Sequence, residues 1–185
     1  MNSLTGQLLV AMPQMMDPRF ARSVVYVCAH SEEDGAMGLV VNKLLASLTM
    51  DELMTHLKLE PTRLNEPRPV HFGGPVEPGR GFVLHTPDYH EEATLNIGEQ
   101  FAVTATLDIL RAIGRGEGPH QNLLALGYAG WGPGQLDAEM QANGWLCVPA
   151  DADLVFEGDI DGKWQRALAK LGVDLTMLST DAGHA

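Results

Sequence analysis

The chain has little positive charge and few cysteines. Among its 185 residues, 24 Asp and Glu outnumber 12 Lys and Arg, which gives a formal net charge of -12, and the basic residues form no contiguous run. Because proteins bind nucleic acids largely by neutralising phosphates with Lys and Arg, this composition argues against direct DNA binding. The two cysteines, Cys28 and Cys147, lie in apolar stretches, so we expect buried, reduced thiols rather than a disulfide.

Long hydrophobic segments are also lacking. The first apolar run, Leu8–Met12, is too short for the core of a signal peptide, and no segment reaches the roughly 18 apolar residues that a membrane helix needs. With 45% hydrophobic and 19% charged residues, the chain suits one globular domain with a full core. We therefore predict a cytoplasmic protein with no membrane association, a single domain over residues 1–178 and a flexible C-terminal tail over residues 179–185.

Catalytic and metal-binding motifs are missing from the sequence. No serine lies in a Gly-x-Ser-x-Gly segment, and no residues show His-x-x-x-His or Cys-x-x-Cys spacing. The seven histidines are scattered, and an isolated histidine is more often structural than catalytic. The sequence therefore predicts no catalytic residue, no metal and no cofactor, and it favours a protein that is not an enzyme. A site assembled from residues far apart in the chain is not visible in one sequence.

Short β-branched runs with few helical patterns predict a mixed α+β fold. The predicted strands are Leu8–Ala11, Ser23–His30, Met37–Asn42, Val70–Phe72, Gly81–His85, Phe101–Thr104, Leu123–Tyr128 and Trp145–Val148. The predicted helices are Leu53–Leu57, Leu107–Ile113, Gln135–Asn143 and Trp164–Leu171, and residues 60–69 are predicted as a loop. Asp34-Gly35 indicates a hairpin turn, and Thr49 with Glu52 has the form of a helix capping box. Because strands do not alternate with long helices, we expect a curved or partly closed sheet with a few helices around it.

The run Leu126–Glu139 is the most informative part of the chain, and its segment Gly130–Gly134 has three alternate glycines around a tryptophan and a proline. A strand followed by a glycine-rich turn and a helix start is the context in which phosphates bind. However, Gln135 stands where a dinucleotide-binding fingerprint has its third glycine, and no Gly-Lys-Ser/Thr sequence follows. An anion or ligand site is therefore the weaker of two interpretations of this segment.

The favoured interpretation gives the same segment a structural role. Pro133 fits the first position of the following helix, where its missing N–H costs nothing. We expect Gly130 and Gly132 to let the backbone pass close to Trp131 or to adopt positive φ, so that Gly132→Ala destabilises the fold. The Trp131 ring is expected to pack into the core or a shallow groove, and its replacement by alanine to cost about 3–5 kcal/mol.

Several segments, in this order and spacing, resemble the AlgH/YqgE family of bacterial proteins. They are Gly6–Pro13, Phe20 with Ser23–Tyr26, His30, Gly35–Asn42, Gly73–Val76 and Gly127–Leu136. The resemblance covers about residues 6–172 and implies an α+β fold with a branched sheet curled into a pseudo-barrel. It also brings the label of transcriptional regulator that the AlgH name carries, while most other members are called uncharacterised. No established catalytic residues come with the resemblance.

Two functional hypotheses follow. The leading one is a non-enzymatic regulatory or interaction module of the bacterial cytoplasm, with a protein partner and a hydrophobic patch or groove near Trp131. Any regulation of transcription is expected to be indirect, since the chain is acidic and shows no helix-turn-helix pattern. The alternative is a small-molecule or nucleotide-binding protein, or an enzyme, that uses the Gly130–Gly134 turn. The candidate binding residues are His30, Asn42, Gly73, Gly74, Pro75, Gly130, Trp131, Gly132, Gly134 and Gln135.

Overall fold

The computed structural model describes residues 3–60 and 68–172 of the chain. The ten strands in this part are β1 (Gln7–Ala11), β2 (Val24–Ser31), β3 (Gly35–Val40), β4 (Leu44–Thr49), β5 (Pro69–Phe72), β6 (Val76–His85), β7 (Leu95–Ile97), β8 (Phe101–Thr104), β9 (Asn122–Trp131) and β10 (Trp145–Pro149). The five helices are α1 (Met50–His56), α2 (Leu107–Gly114), α3 (Gln135–Gln141), α4 (Ala152–Phe156) and α5 (Lys163–Lys170). The predicted α+β class is confirmed. The predicted tail, residues 179–185, and residues 61–67 of the predicted loop lie outside the described residues.

All ten strands belong to one branched sheet. Its main path runs β10-β1-β2-β3-β9-β6-β8-β7, and β4 and β5 form a side branch. Strand β9 is the branch point, because its first part pairs with β6 and, in parallel, with β5, while its last three residues pair with β3. The other described pairs are antiparallel. The sheet curls into a half-barrel, which confirms the predicted curved, mixed sheet.

Interactions between residues close together in the chain form the predicted hairpin turn between β2 and β3 and the predicted start of α1. Ser31 and Gly35 face each other across the β2–β3 hairpin, and Gly35 has a φ of 87°, a conformation that glycine adopts without a Cβ clash. The side chain of Thr49 accepts a hydrogen bond from the backbone N–H of Glu52 at the start of α1. The predicted hairpin and the N-cap half of the predicted capping box are therefore confirmed.

Three short elements are absent from the sequence-based prediction, namely β4, β7 and α4. Strands β4 and β7 are largely exposed, so their sequences lack the apolar and polar alternation that marks a half-buried strand. Helix α4 has only five residues, which is too short to show a helical period. These elements are formed by their surroundings more than by a pattern of their own.

The core lies on both faces of strands β1 to β3. Alternate residues of β1 point in opposite directions, so that Leu8 joins one hydrophobic cluster and Leu9 another. The first cluster is covered by α4 and α5, with Trp164 of α5 buried in it. The second is covered by α3 and contains Trp131. A third cluster lies where α1 and α2 pack on β5, β6 and β9.

Candidate functional site

The segment Gly130–Gly134 leads from β9 into α3. Gly130 and Trp131 still belong to β9, where they pair with Met37 and Ala36 of β3. Only residues 132–134 form the turn, and the left-handed conformation falls on Gly134, the N-cap of α3, with a φ of 76°. The prediction of positive φ at Gly130 or Gly132 is therefore wrong, since the strand continues further than expected.

The position predicted for Pro133 is also wrong. Helix α3 begins at Gln135 with Gly134 as its N-cap, so Pro133 lies before the cap rather than at the first helical position. Its fixed φ serves the turn between β9 and α3. The predicted start of the helix at Gln135 is confirmed, and the left-handed Gly134, which redirects the chain into α3, separates Pro133 from it.

Trp131 is buried in an aromatic cluster. Its side chain is 6% exposed, and its ring centroid lies 6.4 Å from that of Phe20 and 6.0 Å from that of Trp145. Phe20 and Trp145 meet edge to face at 5.9 Å, so that each of the three rings contacts the other two. The predicted packing of Trp131 into the core is confirmed.

One carboxylate connects this cluster to α3. Glu139 Oε1 accepts hydrogen bonds from Trp131 Nε1 at 3.2 Å and from Trp145 Nε1 at 3.0 Å. Its other oxygen, Oε2, accepts from Gln135 Nε2 at 3.1 Å. Gln135 Oε1 in turn accepts from the backbone N–H of Gly132 at 3.0 Å. The helical spacing of four residues between Gln135 and Glu139 was the only sequence signal for this network.

Replacing Glu139 with alanine is expected to lower the free energy of unfolding by about 1–3 kcal/mol, because two buried indole N–H groups lose their acceptor. Glu139→Gln is the matched control. It keeps an oxygen for both indoles and loses only the hydrogen bond from Gln135, so its effect should be smaller. Urea unfolding of both variants measures the difference. Equal losses would show that the indole hydrogen bonds contribute nothing specific.

His30 and Asn42 lie in different places. His30 Nδ1 accepts from the backbone N–H of Leu4 at 2.9 Å, and its Nε2 lies 3.2 Å from Asp137 Oδ1 of α3, close enough for electrostatic pairing although not oriented as a hydrogen bond. Asn42 lies just after β3, at the end of that strand far from the pairing with Trp131. Its Oδ1 accepts a hydrogen bond from the backbone N–H of Val24 at 2.8 Å. His30 thus contacts the helix of the glycine segment, whereas Asn42 orders the start of β2.

Gly73 and Gly74 mark a close crossing of two backbones. A Cβ on Gly73 would overlap the carbonyl oxygen of Gly127, and one on Gly74 would overlap the backbone of Tyr128. Gly73 also donates to Leu126 O at 2.8 Å, which fixes the crossing. These two glycines are required by packing, and only the neighbouring Pro75 faces the surface beside Trp131.

A groove of about 450 Å³ opens beside Trp131. Its apolar and aromatic lining includes Met15, Phe20, Pro75, Val76, Trp131 and Trp145. Its charged rim is formed by Asp17 and Arg19, whose side chains pair through two hydrogen bonds of 3.0 and 2.7 Å. The hydrogen bonds from Arg19 hold the pKa of the Asp17 carboxyl below its usual value. Gln135 and Glu139 also line the groove, and their side chains are hydrogen-bonded to each other.

The groove therefore combines apolar surface with polar groups that are already paired. In residues 3–60 and 68–172, no three His, Cys, Asp or Glu side chains come together in a way that could hold a metal ion. The candidates that the structure brings together are Pro75, Gly130, Trp131 and Gln135. Sequence reasoning missed Phe20 and Trp145 as members of the site, because nothing in a single sequence places them beside Trp131.

Comparison with known proteins agrees with this fold. A family model described as AlgH-like matches residues 8–176. A UPF0301 protein of Rhodopseudomonas palustris is 57% identical over 190 residues, which cover 98% of this chain and 89% of that protein. A UPF0301 protein of Rhodospirillum rubrum is 53% identical over 182 residues, covering 98% and 94%.

Solved structures give the same result. The solution structure of the AlgH protein from Pseudomonas aeruginosa has a TM-score of 0.80 and 42% identity, covering 100% of this chain and 97% of that one. A protein from Corynebacterium diphtheriae, 21% identical, shares the fold with a TM-score of 0.76 over 94% of this chain and 90% of its own. The resemblance inferred from the sequence motifs is confirmed, and the chain belongs to the AlgH-like family.

Proposed function

We propose that the protein is a non-enzymatic interaction module of the bacterial cytoplasm, which regulates a protein partner by binding one of its segments in the groove beside Trp131. The segment is short and apolar with basic residues at its flanks. One observation carries the proposal: the polar side chains of the groove are bonded to one another, so apolar and aromatic surface is what the groove offers. Such surface recognises a partner but provides no nucleophile or base.

The composition of the groove matches that of protein interfaces. Aromatic residues, Met and Arg are enriched where proteins meet, and the groove presents Met15, Phe20 and Arg19 at its opening. Arg19 has 59% of its side chain exposed. Met16, which follows Met15 in the chain, is 91% exposed and adds apolar surface to the same segment. Arg19 and Met16 both lie in the segment that forms one wall of the groove.

The net charge of the chain indicates which residues should flank the apolar part of the partner segment. A protein with a net charge of -12 attracts basic segments over distance and disfavours acidic ones. The same charge supports regulation through a protein rather than through direct DNA contact. No helix among the described residues is long and apolar enough to span a membrane.

The geometry gives less support to the alternative, a nucleotide or other small anion at the Gly130–Gly134 turn. The N–H of Gly132 is already donated to Gln135. Asp137 adds negative charge in the first turn of α3, where a phosphate would need positive potential. The turn itself, Gly132-Pro133-Gly134, has no side chain that could act as a base or a nucleophile.

A peptide library displayed on phage tests the proposal. We expect enrichment of peptides that combine one or two large apolar residues with Lys or Arg. Met15→Lys places a positive charge in the wall of the groove and should raise the Kd of these peptides at least about tenfold, which corresponds to about 1.4 kcal/mol. Calorimetric titration of the enriched peptides into each protein measures this change in Kd.

Leu95→Lys is the matched control, since Leu95 is 56% exposed on β7 and the change in charge is the same. It should leave the Kd of the peptides within about twofold. The melting temperature of each variant shows that its fold is retained. Equal weakening by both variants would mean that overall charge, and not the groove, determines binding, and the proposal would be wrong.

A further inference from the structure

A second pocket, of about 230 Å³, lies where β5 and β9 meet α4 and α5. Arg68, His71 and Lys163 all line it. Among the described residues that form its wall none is acidic, although the chain as a whole has twice as many acidic as basic residues. Two cationic side chains and a histidine therefore converge on one cavity in a strongly acidic protein. This pocket shares no lining residue with the groove beside Trp131.

Lys163 is the most unusual member. It is 1% exposed, and its ammonium group donates to Val41 O at 2.9 Å and to Val155 O at 2.6 Å. An ammonium group has three N–H donors, so these two carbonyls leave one donor for the pocket. No carboxylate pairs with Lys163 within the described part of the chain. Burial, aided by the charge of Arg166, lowers the pKa of Lys163 to about 8.

His71 provides an independent observation. It is 5% exposed, and its Nδ1 has no hydrogen-bond partner in the described residues. Burial, together with the nearby charges of Lys163 and Arg68, lowers the pKa of its imidazole to about 4, while an interaction with the backbone of Leu124 acts in the opposite direction. A buried polar nitrogen without a partner is rare in folded proteins, because its desolvation is not compensated. A structural role for Lys163, which links Val41 just after β3 to Val155 of α4, explains its two hydrogen bonds to carbonyls but does not explain the unpartnered nitrogen of His71.

Arg68 lies at the more exposed side of the pocket. Its Nη2 donates to Asn122 O at 3.0 Å and to Asn122 Oδ1 at 2.7 Å, which holds the guanidinium group against β9. A guanidinium group has five N–H donors and stays charged throughout the physiological pH range. Two bonds to one residue fix its position and leave other donors for a ligand. Arg68 is therefore a preorganised cation at the same cavity.

We propose that this pocket binds a small oxyanion, a phosphate or the carboxylate of a small organic acid, between Arg68, His71 and Lys163. The oxyanion accepts the third N–H of Lys163, the N–H of His71 in the tautomer protonated at Nδ1, and N–H groups of Arg68. Lys and Arg are the residues that bind phosphates and carboxylates most strongly.

The size of the pocket limits the ligand. Pockets for drug-sized molecules measure roughly 300–1,000 Å³, and this one is smaller. The cavity therefore suits an oxyanion with few other atoms rather than a complete nucleotide. The negative charge of the ligand also offsets the mutual repulsion of the cations, which no acidic side chain of the described lining does.

Titration with inorganic phosphate and, separately, with acetate tests the inference, with chloride at the same ionic strength as reference. Binding is followed by calorimetry and by the side-chain nitrogen signals of ¹⁵N-labelled histidine. We expect saturable binding to one site and a shift of the His71 signal with at least one of the two anions. Saturation by phosphate alone assigns the site to phosphates, and saturation by acetate extends it to carboxylates. If the signals with phosphate and with acetate are no larger than those with chloride, the inference is wrong.

Arg68→Gln removes one cation at the more exposed side and is expected to raise the Kd of the bound anion at least about tenfold. Arg111→Gln is the matched control, because Arg111 is an exposed residue of α2 outside the pocket and the change in charge is the same. It should change the Kd less than about twofold. Equal weakening by both variants overturns the inference. Met15→Lys, which changes the groove beside Trp131, should leave the Kd of the anion unchanged. Failure of the peptide-binding proposal therefore leaves the test of the anion site valid, and the reverse also holds.

Discussion

Replacing Trp131 with alanine is expected to lower the free energy of unfolding by about 3–5 kcal/mol, the range found for large buried aromatic residues. The side chain is 6% exposed and packs against Phe20 and Trp145, while its N–H binds Glu139. A domain of this kind has a total stability of only about 5–15 kcal/mol, so the variant is expected to melt at a clearly lower temperature. Urea unfolding and thermal melting at one fixed pH measure the loss.

Trp131→Phe separates packing from hydrogen bonding. Phenylalanine keeps most of the aromatic contact with Phe20 and Trp145 but loses the hydrogen bond to Glu139, so it should destabilise the fold less than alanine does. A soluble Trp131→Ala protein with an unchanged melting temperature and no peptide binding would contradict the structural role of this residue. Trp131 would then belong to the binding surface and not to the core.

The strands could be predicted from the sequence where burial leaves a simple pattern. In β1, β2 and β10, runs of β-branched and large apolar residues are bounded by turn signals, and these strands were predicted within about two residues. The hairpin at Gly35 and the cap at Thr49 were predictable because each depends on neighbours in the chain. Local interactions are visible in a single sequence.

The site could be predicted only in part, because it depends on contacts between distant segments. The glycine-rich segment identified the position of Trp131, yet the end of β9 is determined by its pairing with β3. Phe20 and Trp145 come from different parts of the chain, and nothing in their own surroundings indicates an aromatic cluster. The same holds for Arg68, His71 and Lys163, each of which is an isolated residue until β5, β9 and α5 come together.

Gly35 is expected to tolerate no side chain. Its φ of 87° lies in the left-handed region, and a Cβ there would overlap Trp131 O and lie 2.8 Å from the carbonyl carbon of Gly132. Left-handed strain costs about 1–3 kcal/mol and overpacking a further 1–3 kcal/mol or so. We therefore expect Gly35→Ala to lower the free energy of unfolding by about 2–6 kcal/mol, measured as a lower midpoint in urea.

Gly132→Ala is the matched comparison and tests the correction that the structure makes to the sequence-based expectation. The φ of Gly132 lies outside the left-handed region, and an added Cβ would have Gln135 Oε1, at 3.9 Å, as its nearest contact. The N–H that it donates to Gln135 is retained in alanine. Because alanine restricts the unfolded chain more than glycine does, the change should be neutral or stabilise by about 0.4–1 kcal/mol. If Gly132→Ala destabilises the protein as much as Gly35→Ala, the backbone at the end of β9 differs from the one described, and the left-handed conformation belongs to Gly132 rather than to Gly134.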